Sequence, residues 1–561
     1  MDIQEETLEA EEIQGNILGG FNKDFQAFLF LRLPATPPGV ASVRPWLRQL
    51  APQVSTLAEV AHFNGLYKSM RRRLGFEPKG LVATWMNLAF SAAALRSLTS
   101  PAEVEQFADQ HFKDGLQTRS GDLGDPTDAA AEGHPDRWVV GGPGLEADML
   151  IIVASDSPDL LASRLDELKS TMPSSIEILW EQPGQTLESP LVGHEHFGFN
   201  DGVSQPGIRG LLQTIPPVPL TPRLIDPQQS PQPDPRQPEY AAPGRPLIWP
   251  GQFVFGYRRQ SIDDPRKPPA ALVPDPTNPP ADPFALADAC PAWARNGSFL
   301  VLRRLRQDVP AFRAFVRAAA ATLAGTPGFS GMTATRFASM CVGRWPSGSP
   351  IMRSPTTENL ALAADPHADN YFQFVRDSPP PLVLSPDLGY AGDTFPLSRL
   401  DDKGVICPFS AHIRKVNPRD TITEQGSFVD TLTRLVLRRG IPYGPAYPGD
   451  LDRDDPSPHP ELAAVDRGLI FVCYQTSIEE QFAFLQTSWA NDTKHPNGQG
   501  GHDPIIGQDR SAGGARFLRV RAADQPSQTV SVPTDWVIPT GGGYFFSPSI
   551  STLVNVLGAV S

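Results

Sequence analysis

Cysteine is scarce in this chain of 561 residues, which contains only four. Cys290, Cys341, Cys407 and Cys473 form no CxxC pair and show no short spacing of the kind that zinc sites use. We therefore expect neither a disulfide framework nor a zinc finger. Two of the four, Cys407 and Cys473, lie in apolar, strand-like runs, where a thiol is usually a small core residue. We assign no chemical role to any of them.

Positive charge and long apolar runs are also in short supply. The chain has 48 Lys and Arg against 62 Asp and Glu, a formal net charge of -14. This balance argues against a nucleic-acid partner and against an anionic membrane surface, because both need a basic face. No stretch approaches the roughly 18 apolar residues of a membrane helix, and the N-terminal residues do not resemble a signal peptide. We expect a cytoplasmic protein by default, and secretion by another route stays open.

Proline, in contrast, is abundant, with 61 residues, and it concentrates between residues 215 and 285. Such a segment cannot form a helix or a central strand, so we predict an extended surface insertion. Within it, PLIWPGQFVFGY (246–257) is apolar and is predicted to pack. The predicted units are residues 1–214, the insertion 215–285 and residues 286–561.

Strand and helix patterns alternate on both sides of the insertion. DMLIIVASDSPDLLASRLDEL (148–168) and RGLIFVCYQTSIEEQFAFLQ (467–486) share one order of strand, turn and helix. Any α+β protein can produce such a pair, so a duplication is a hypothesis at this point. The pattern favours an α+β fold built from two related halves.

The stretch HFGFNDGVSQPGI (196–208) raises the question of what Asp201 does. An Asp-Gly pair is typical of a turn, because glycine tolerates positive φ and aspartate bonds to its own backbone. The alternative is a working acid. Just before it, His194 and His196 are two residues apart, which on a strand puts both rings on one face, as a Zn, Cu or non-haem Fe site requires. A third ligand, such as Glu195 or Asp201, would be needed.

Two later segments carry basic residues in special contexts. In CPFSAHIRKVNPR (407–419), His412 is followed by Arg414 and Arg419. A lone imidazole beside positive charge suits haem with its two propionates, and the alternative is a surface histidine in a basic loop. In TRLVLRRGIPYGP (433–445), Arg438 and Arg439 end an apolar run. An arginine held there can face a cavity and stabilise a developing anion, or it can face solvent.

Taken together, GFNDG (198–202), CPFSAHIRKVNPR and RRGIPYG (438–444) resemble the dye-decolorizing peroxidases. Five further stretches match in order: IQGNILGGF (13–21), VGRWPSGSP (342–350), GLIFVCYQ (468–475), FLQTSWAN (484–491) and GGGYFFSPS (541–549). The resemblance spans nearly the whole chain except the Pro-rich insertion, and it is greatest to the longer-chain fungal and bacterial subgroup. It implies two ferredoxin-like units of the dimeric α+β barrel type around one haem b.

The resemblance also implies site residues, position by position. His412 resembles the axial ligand of the haem iron, Asp201 the distal acid-base residue and Arg438 the distal arginine. Leu469 and Phe471 resemble residues that line the distal face. Arg414 and Arg344 resemble residues that contact the haem propionates.

The implied activity is a haem peroxidase that uses hydrogen peroxide to oxidise dyes, phenolics and other bulky aromatic substrates in one-electron steps through a ferryl intermediate. An acidic optimum is expected, because an aspartate ordinarily titrates near pH 4. Bulky dyes would donate electrons through Trp or Tyr residues near the surface. Two alternatives stay open: a non-haem metal-dependent oxidoreductase built on His194 and His196, and a non-catalytic haem carrier or sensor that uses His412. The protein could be a monomer or a dimer.

Overall fold

A computed structural model describes residues 5–76, 78, 80–223, 240–260, 290–375, 395–426, 428–453, 460–496, 498, 500–508 and 516–559. Of the predicted insertion, only residues 215–223 and 240–260 lie among these. Within the described ranges, no helix combines the length and the apolar character that crossing a bilayer requires.

The N-terminal half is a four-stranded antiparallel sheet with helices. Its strands are β1 (Phe25–Arg32), β2 (Thr84–Phe90), β3 (Met149–Ser155) and β4 (Glu177–Gln185). Its helices are α1 (Gly15–Leu18), α2 (Pro37–Leu50), α3 (Leu57–Leu74), α4 (Ala92–Leu98), α5 (Pro101–Glu105), α6 (Gln110–Asp114), α7 (Leu116–Arg119) and α8 (Pro158–Thr171). The strands lie in the order β4-β1-β3-β2, which is the ferredoxin-like order.

Short strands lead from this half into the insertion: β5 (Gly207–Ile208), β6 (Leu211–Leu212), β7 (Val218–Pro219), β8 (Tyr240–Ala242) and β9 (Arg245–Ile248). Strands β5, β9 and β8 form a small sheet. The prediction that residues 246–257 pack is confirmed, because Trp249, Phe253 and Phe255 are at most 1% exposed.

The C-terminal half repeats the architecture of the first. Its strands are β10 (Ser298–Gln307), β11 (Leu437–Arg438), β12 (Ile441–Tyr443), β13 (Gly468–Gln475), β14 (Arg516–Val520), β15 (Gln528–Val532) and β16 (Val537–Ser547). Its α-helices are α9 (Val309–Ala324), α10 (Ala334–Val342), α11 (Leu360–Ala364), α12 (His412–Val416), α13 (Asp430–Arg434), α14 (Pro460–Ala463) and α15 (Ile550–Thr552). Two π-helical segments, Ile478–Ala483 and Leu485–Ala490, follow β13.

Both halves use one strand order and together form a nine-stranded sheet. In the second half the order is β11-β13-β10-β16, so β13 lies beside the first strand of its unit, as β3 does in the N-terminal half. The two stretches that look like counterparts in sequence therefore hold the same position. Strand β16 joins the halves by pairing Phe546 with Phe90 of β2. At the other edge, β4 meets β12, where a Cβ added to Gly184 would lie 2.6 Å from Ile441 Cγ2.

Both faces of this sheet are covered, so all seven side chains of β3 are buried. Along β10, Val301 joins the core that lies under helices α2 and α4, whereas Leu300 and Leu302 join a second core. The candidate site lies on the first of these faces, at the β11 and β13 edge of the C-terminal half.

Strand β16 was not predicted, because glycines 541–543 are unfavourable in a strand interior. The structure gives the reason for two of them. A Cβ at Gly542 would lie 2.2 Å from the carbonyl oxygen of Leu302, and one at Gly541 would lie 2.7 Å from that of Val140. These glycines permit close approach of neighbouring backbone.

Candidate functional site

Asp201 and Arg438 come together although 237 positions separate them in the chain. Oδ1 of Asp201 accepts a hydrogen bond from Nη1 of Arg438 at 2.9 Å, and the two side chains are 38% and 29% exposed. The Asp-Gly turn is also present: the backbone N–H of Gly202 donates to Oδ1 of Asp201, and Gly202 has a φ of 77°. Asp201 is therefore both a turn residue and one half of an accessible ion pair.

Backbone pairing and one glutamine hold Arg438 in place. Strand β11 pairs with β13, with Arg438 opposite Cys473. The side chain of Gln205 pairs with the backbone of Arg438 as a strand would, accepting from its N–H and donating to its carbonyl at 3.1 Å. Nη2 of Arg438 donates to the carbonyl of Ser204 at 3.0 Å. Arg439 lies apart, because it donates to carbonyl oxygens of α1.

Leu469 and Phe471 share a strand face with Cys473 of β13, and Arg438 lies opposite Cys473 in the register. Both side chains are half-buried, whereas Ile470 between them is buried. The ring of Phe471 lies 5.9 Å from that of Phe482 in the first π-helical segment. The structure thus places both predicted lining residues on the face that carries Arg438.

His412 is the first residue of α12, and a buried aspartate orients its ring. Nδ1 of His412 lies 2.8 Å from Oδ2 of Asp503, whose side chain is 0% exposed. The imidazole itself is 26% exposed. This contact occupies Nδ1, so Nε2 is the ring nitrogen that a neutral imidazole would offer to a further group.

Arg344 is joined through Ser204 and Asn370 to the segment that follows Asp201. Its Nη2 donates to Oγ of Ser204 at 2.9 Å and to Oδ1 of Asn370 at 2.8 Å. The same Oδ1 accepts from Oγ of Ser204 and from Nη2 of Arg419 at 2.7 Å. Asn370 is therefore the common acceptor of a network that ties Arg344 and Arg419 to the segment that follows Asp201.

This network is rich in positive charge. Burial lowers the pKa of the Arg344 guanidinium to about 9, and the charges of Arg419, Arg245 and Arg438 act in the same direction. Asp369 opposes them. These four arginines, called the arginine cluster below, concentrate positive charge beside the segment that follows Asp201.

The structure does not bring Arg414 to this cluster. Its guanidinium is fully buried, donating to Oδ2 of Asp401 at 3.0 Å and to the carbonyl of Cys407. The rings of Phe374 and Phe409 lie 4.6 and 4.5 Å from it. Arg414 therefore supports the turn before His412 from within the protein.

His194 and His196 do not form a metal site with a third ligand. Within the described ranges, no group of three or more His, Cys, Asp or Glu side chains is arranged to hold a metal ion. Burial lowers the pKa of His196 to about 4, with the charge of Arg467 acting in the same direction. Its Nε2 lies 2.9 Å from the carbonyl oxygen of Tyr443. His196 is thus a neutral residue that ties the loop to β12.

Sequence reasoning missed Asp503, Ser204 and Asn370. Asp503 stands 91 positions after His412, and Asn370 166 positions after Ser204. Neither spacing carries a local signal. A buried aspartate before Pro504 and an asparagine before Tyr371 are compatible with many ordinary turns.

Comparisons with known proteins find similarity to dye-decolorizing peroxidases along nearly the whole chain. A family model described as the DyP dimeric alpha+beta barrel domain matches residues 12–186. The dye-decolorizing peroxidase AauDyP1 of Auricularia auricula-judae is 29% identical over 99% of this chain and 88% of its own. A solved ancestral D-type dye-decolorizing peroxidase is 30% identical with a TM-score of 0.72, covering 99% of this chain and 100% of that one. Another, in complex with 2,6-dimethoxyphenol, is 27% identical with a TM-score of 0.68, covering 98% and 100%. From its sequence and its fold alike, the chain belongs to the dye-decolorizing peroxidase family and is a DyP-type peroxidase.

Proposed function

We propose that this peroxidase binds haem b through His412 and uses hydrogen peroxide to oxidise dyes, phenols and other bulky aromatic compounds in one-electron steps. The observation that carries the proposal is the ion pair of Asp201 and Arg438, joined at 2.9 Å and partly open to solvent. A carboxylate and a guanidinium in contact can move a proton and stabilise an anion at the same place.

The donor set fits haem. Asp503 engages Nδ1 of His412, so the opposite nitrogen, Nε2, is the one that would bind the haem iron. The arginine cluster supplies positive charge that two propionates would balance. A Cβ added to Gly198 or Gly202 would meet nothing within 4 Å, so the Asp201 loop borders open space. We propose Arg344 as a propionate contact, whereas Arg414 supports the turn before His412.

When bound, haem supplies the iron at which the O–O bond of peroxide breaks. Asp201 would take a proton from one oxygen of hydrogen peroxide and return it to the other oxygen, which leaves as water. Asp201 and Ser204 hold the guanidinium of Arg438 in place through Nη1 and Nη2. A remaining N–H group of this guanidinium would donate toward the peroxide oxygen on which negative charge develops. Leu469 and Phe471 present apolar surface and limit the access of water.

An aspartate base favours an acidic optimum, because a carboxylic acid stays largely ionised at a pH where a histidine would be protonated. Phenols and dyes are proposed as reductants from the names of the relatives and from the bound 2,6-dimethoxyphenol of one of them. Of the nine tryptophans in the chain, Trp180 and Trp293 are half-buried and the others are buried. A surface donor of electrons is thus to be sought first at these two.

The proposal is tested by following the absorption spectrum of the purified holoprotein after about one equivalent of hydrogen peroxide, the amount that one haem consumes. We expect a Soret band that changes on mixing, and then returns when a phenol is added. Asp201→Asn and Arg438→Leu should retain the Soret band and react more slowly, whereas His412→Ala should lose the haem.

The alternatives give different results in the same measurement. A haem carrier or sensor would show the Soret band but equal peroxide rates in the Asp201→Asn variant and the unmodified protein. A metal enzyme built on His194 and His196 would show no Soret band. His194→Gln is the matched control, because His194 is half-buried and its Nδ1 bonds to the backbone carbonyl of Val192, away from the ion pair of Asp201 and Arg438.

A further inference from the structure

Glu195 is a partly buried acidic residue six positions before Asp201, and the proposed reaction with peroxide does not use it. Its Oε1 accepts the backbone N–H of Phe199 at 2.9 Å, and its Oε2 accepts that of Phe197 at 2.8 Å. Nε2 of Gln307 also donates to Oε2. One carboxyl group therefore collects two backbone donors of the Asp201 loop and one side chain of the sheet.

The backbone of the loop closes around this carboxyl group. The N–H of Glu195 donates to the carbonyl of Phe199, and that of Gly198 donates to the carbonyl of Glu195. At the end of the turn, the N–H of Asp201 donates to the carbonyl of Gly193 at 3.0 Å. Residues 193–201 thus form one hydrogen-bonded unit, and Asp201 is its last member.

Two aromatic anchors and one glutamine attach this unit to the rest of the fold. Phe197 and Phe199 are 3% and 4% exposed, and the ring of Phe197 lies 4.4 Å from that of Phe312 in α9. Gln307 is the last residue of β10, which pairs with β13, and β13 pairs with the strand of Arg438. Glu195 therefore connects the Asp201 loop to the sheet that places Arg438.

We propose that Glu195 is a positioning residue for the reaction with peroxide: its carboxyl group holds the 193–201 loop so that Asp201 meets Arg438. This rests on the proposed function, in which Asp201 moves the proton of peroxide. Glu195 acts through the loop backbone and touches no substrate.

The carboxyl group can hold the loop whether or not it is ionised. Burial raises the pKa of Glu195 to about 7, and the Asp201 charge acts in the same direction, whereas the N–H donors oppose them. When protonated, its O–H needs an acceptor. Oε1 of Gln307 is buried and has no hydrogen-bond partner, and a rotated Gln307 amide would present this oxygen to Glu195. A glutamine at position 195 cannot do the same, because its NH₂ group would face the N–H of Phe197.

The experiment compares Glu195→Gln and Glu195→Leu with Glu188→Gln, an exposed carboxylate in the same segment. Amide hydrogen exchange of residues 193–202 is measured with and without haem. We expect amide exchange of the loop to accelerate at least about tenfold in Glu195→Gln, because one of the two carboxyl oxygens that accept backbone N–H groups is lost. Glu195→Leu removes both oxygens, so its exchange should be faster still. Glu188→Gln should match the unmodified protein. If Glu195→Leu does not fold, the Glu195→Gln variant carries the test.

Kinetics distinguish positioning from general disruption. In the holoprotein, kcat/KM for peroxide should fall at least about tenfold in Glu195→Gln, whereas kcat/KM for the phenol should stay within about twofold. In an Asp201→Asn background, Glu195→Gln should change the peroxide rate by less than about twofold, because the group that it positions is gone. Equal losses for peroxide and phenol, or undiminished losses in the Asp201→Asn background, would overturn the inference.

Failure of the proposed function has its own signature. If Asp201→Asn alone leaves the peroxide rate unchanged, the role of Asp201 is wrong, and hydrogen exchange still reports whether Glu195 holds the loop. If Asp201→Asn is slow but Glu195→Gln changes neither exchange nor the peroxide rate, the proposed function stands and the role of Glu195 is wrong.

Discussion

Nδ1 of His412 lies 2.8 Å from Oδ2 of Asp503, an aspartate with no exposed side-chain surface. The other oxygen of Asp503 accepts the backbone N–H groups of Ile505 and Ile506. The backbone of its own turn therefore holds this carboxylate in the position from which it contacts the histidine. Such a partner sets the tautomer of a ligating imidazole and raises its basicity.

Loss of this partner should weaken haem binding. In Asp503→Asn, we expect haem to transfer to excess apomyoglobin about 10 to 100 times faster, because the ligating imidazole loses its anionic partner. Asp402→Asn changes an exposed aspartate and is the control. An unchanged transfer rate in a folded Asp503→Asn variant would contradict the role given to Asp503.

Arg438 should matter for the reaction with peroxide. Arg438→Leu removes the donor that stabilises developing charge, which typically costs about 3 kcal/mol, or roughly a hundredfold in rate. Stopped-flow mixing with peroxide measures this directly. Arg453, whose side chain is 87% exposed, provides the control Arg453→Leu. The idea fails if both variants react at the same rate.

Asn370 should contribute to the stability of the fold, because its side chain accepts hydrogen bonds from two arginines. Asn370→Ala deprives Arg344 and Arg419 of a shared acceptor, and a buried donor left unpaired costs about 1–3 kcal/mol. Urea unfolding measures the loss. Asn22→Ala, at an exposed position, should leave the free energy of unfolding unchanged. Equal stability of the two variants would refute the network.

Replacing each of two glycines by alanine should change the free energy of unfolding in opposite directions. Gly542→Ala places a Cβ 2.2 Å from the carbonyl oxygen of Leu302, so it should lower the free energy of unfolding by several kcal/mol. Gly65 lies inside α3 with no other atom within 4 Å of an added Cβ. Gly65→Ala should raise stability by about 1 kcal/mol through helix propensity. Thermal unfolding of both variants checks the signs.

The pKa of Glu195 predicts a pH dependence of stability. Burial raises this pKa from 4.5 to about 7 in the folded protein, so the folded chain holds the proton more tightly than the unfolded chain does. The resulting contribution is complete below pH 4.5 and is lost as the pH rises through 7. At about 1.4 kcal/mol per pKa unit, it amounts to at most about 3.5 kcal/mol.

Glu195→Gln cannot ionise and should lack this dependence. The free energy of unfolding of the unmodified protein, minus that of the variant, should therefore fall between about pH 4.5 and pH 7.5. Urea titrations at several pH values measure the difference, and the exposed Glu188→Gln change should show none. A difference that is constant across this range would contradict the raised pKa.

Much of the fold could be predicted from local pattern. The patterns of residues 148–168 and 467–486 each predict a strand, a turn and a helix. The structure places β3 and α8 in the first stretch, and β13 with the π-helical segment Ile478–Ala483 in the second. Strand β16 could not be predicted, since its glycines are explained only by the carbonyl groups opposite them.

The sequence by itself determined the family, the α+β halves and the candidates His412, Asp201 and Arg438, because these depend on residues close together in the chain. Only the tertiary structure decided which residues they meet. The pairing of β11 with β13 brings Arg438 to Asp201. The chain that follows the π-helical segments brings Asp503 to His412. The end of β10 brings Gln307 to Glu195. Local conformation follows from neighbouring residues, whereas long-range partners follow from how the sheet and the helices pack.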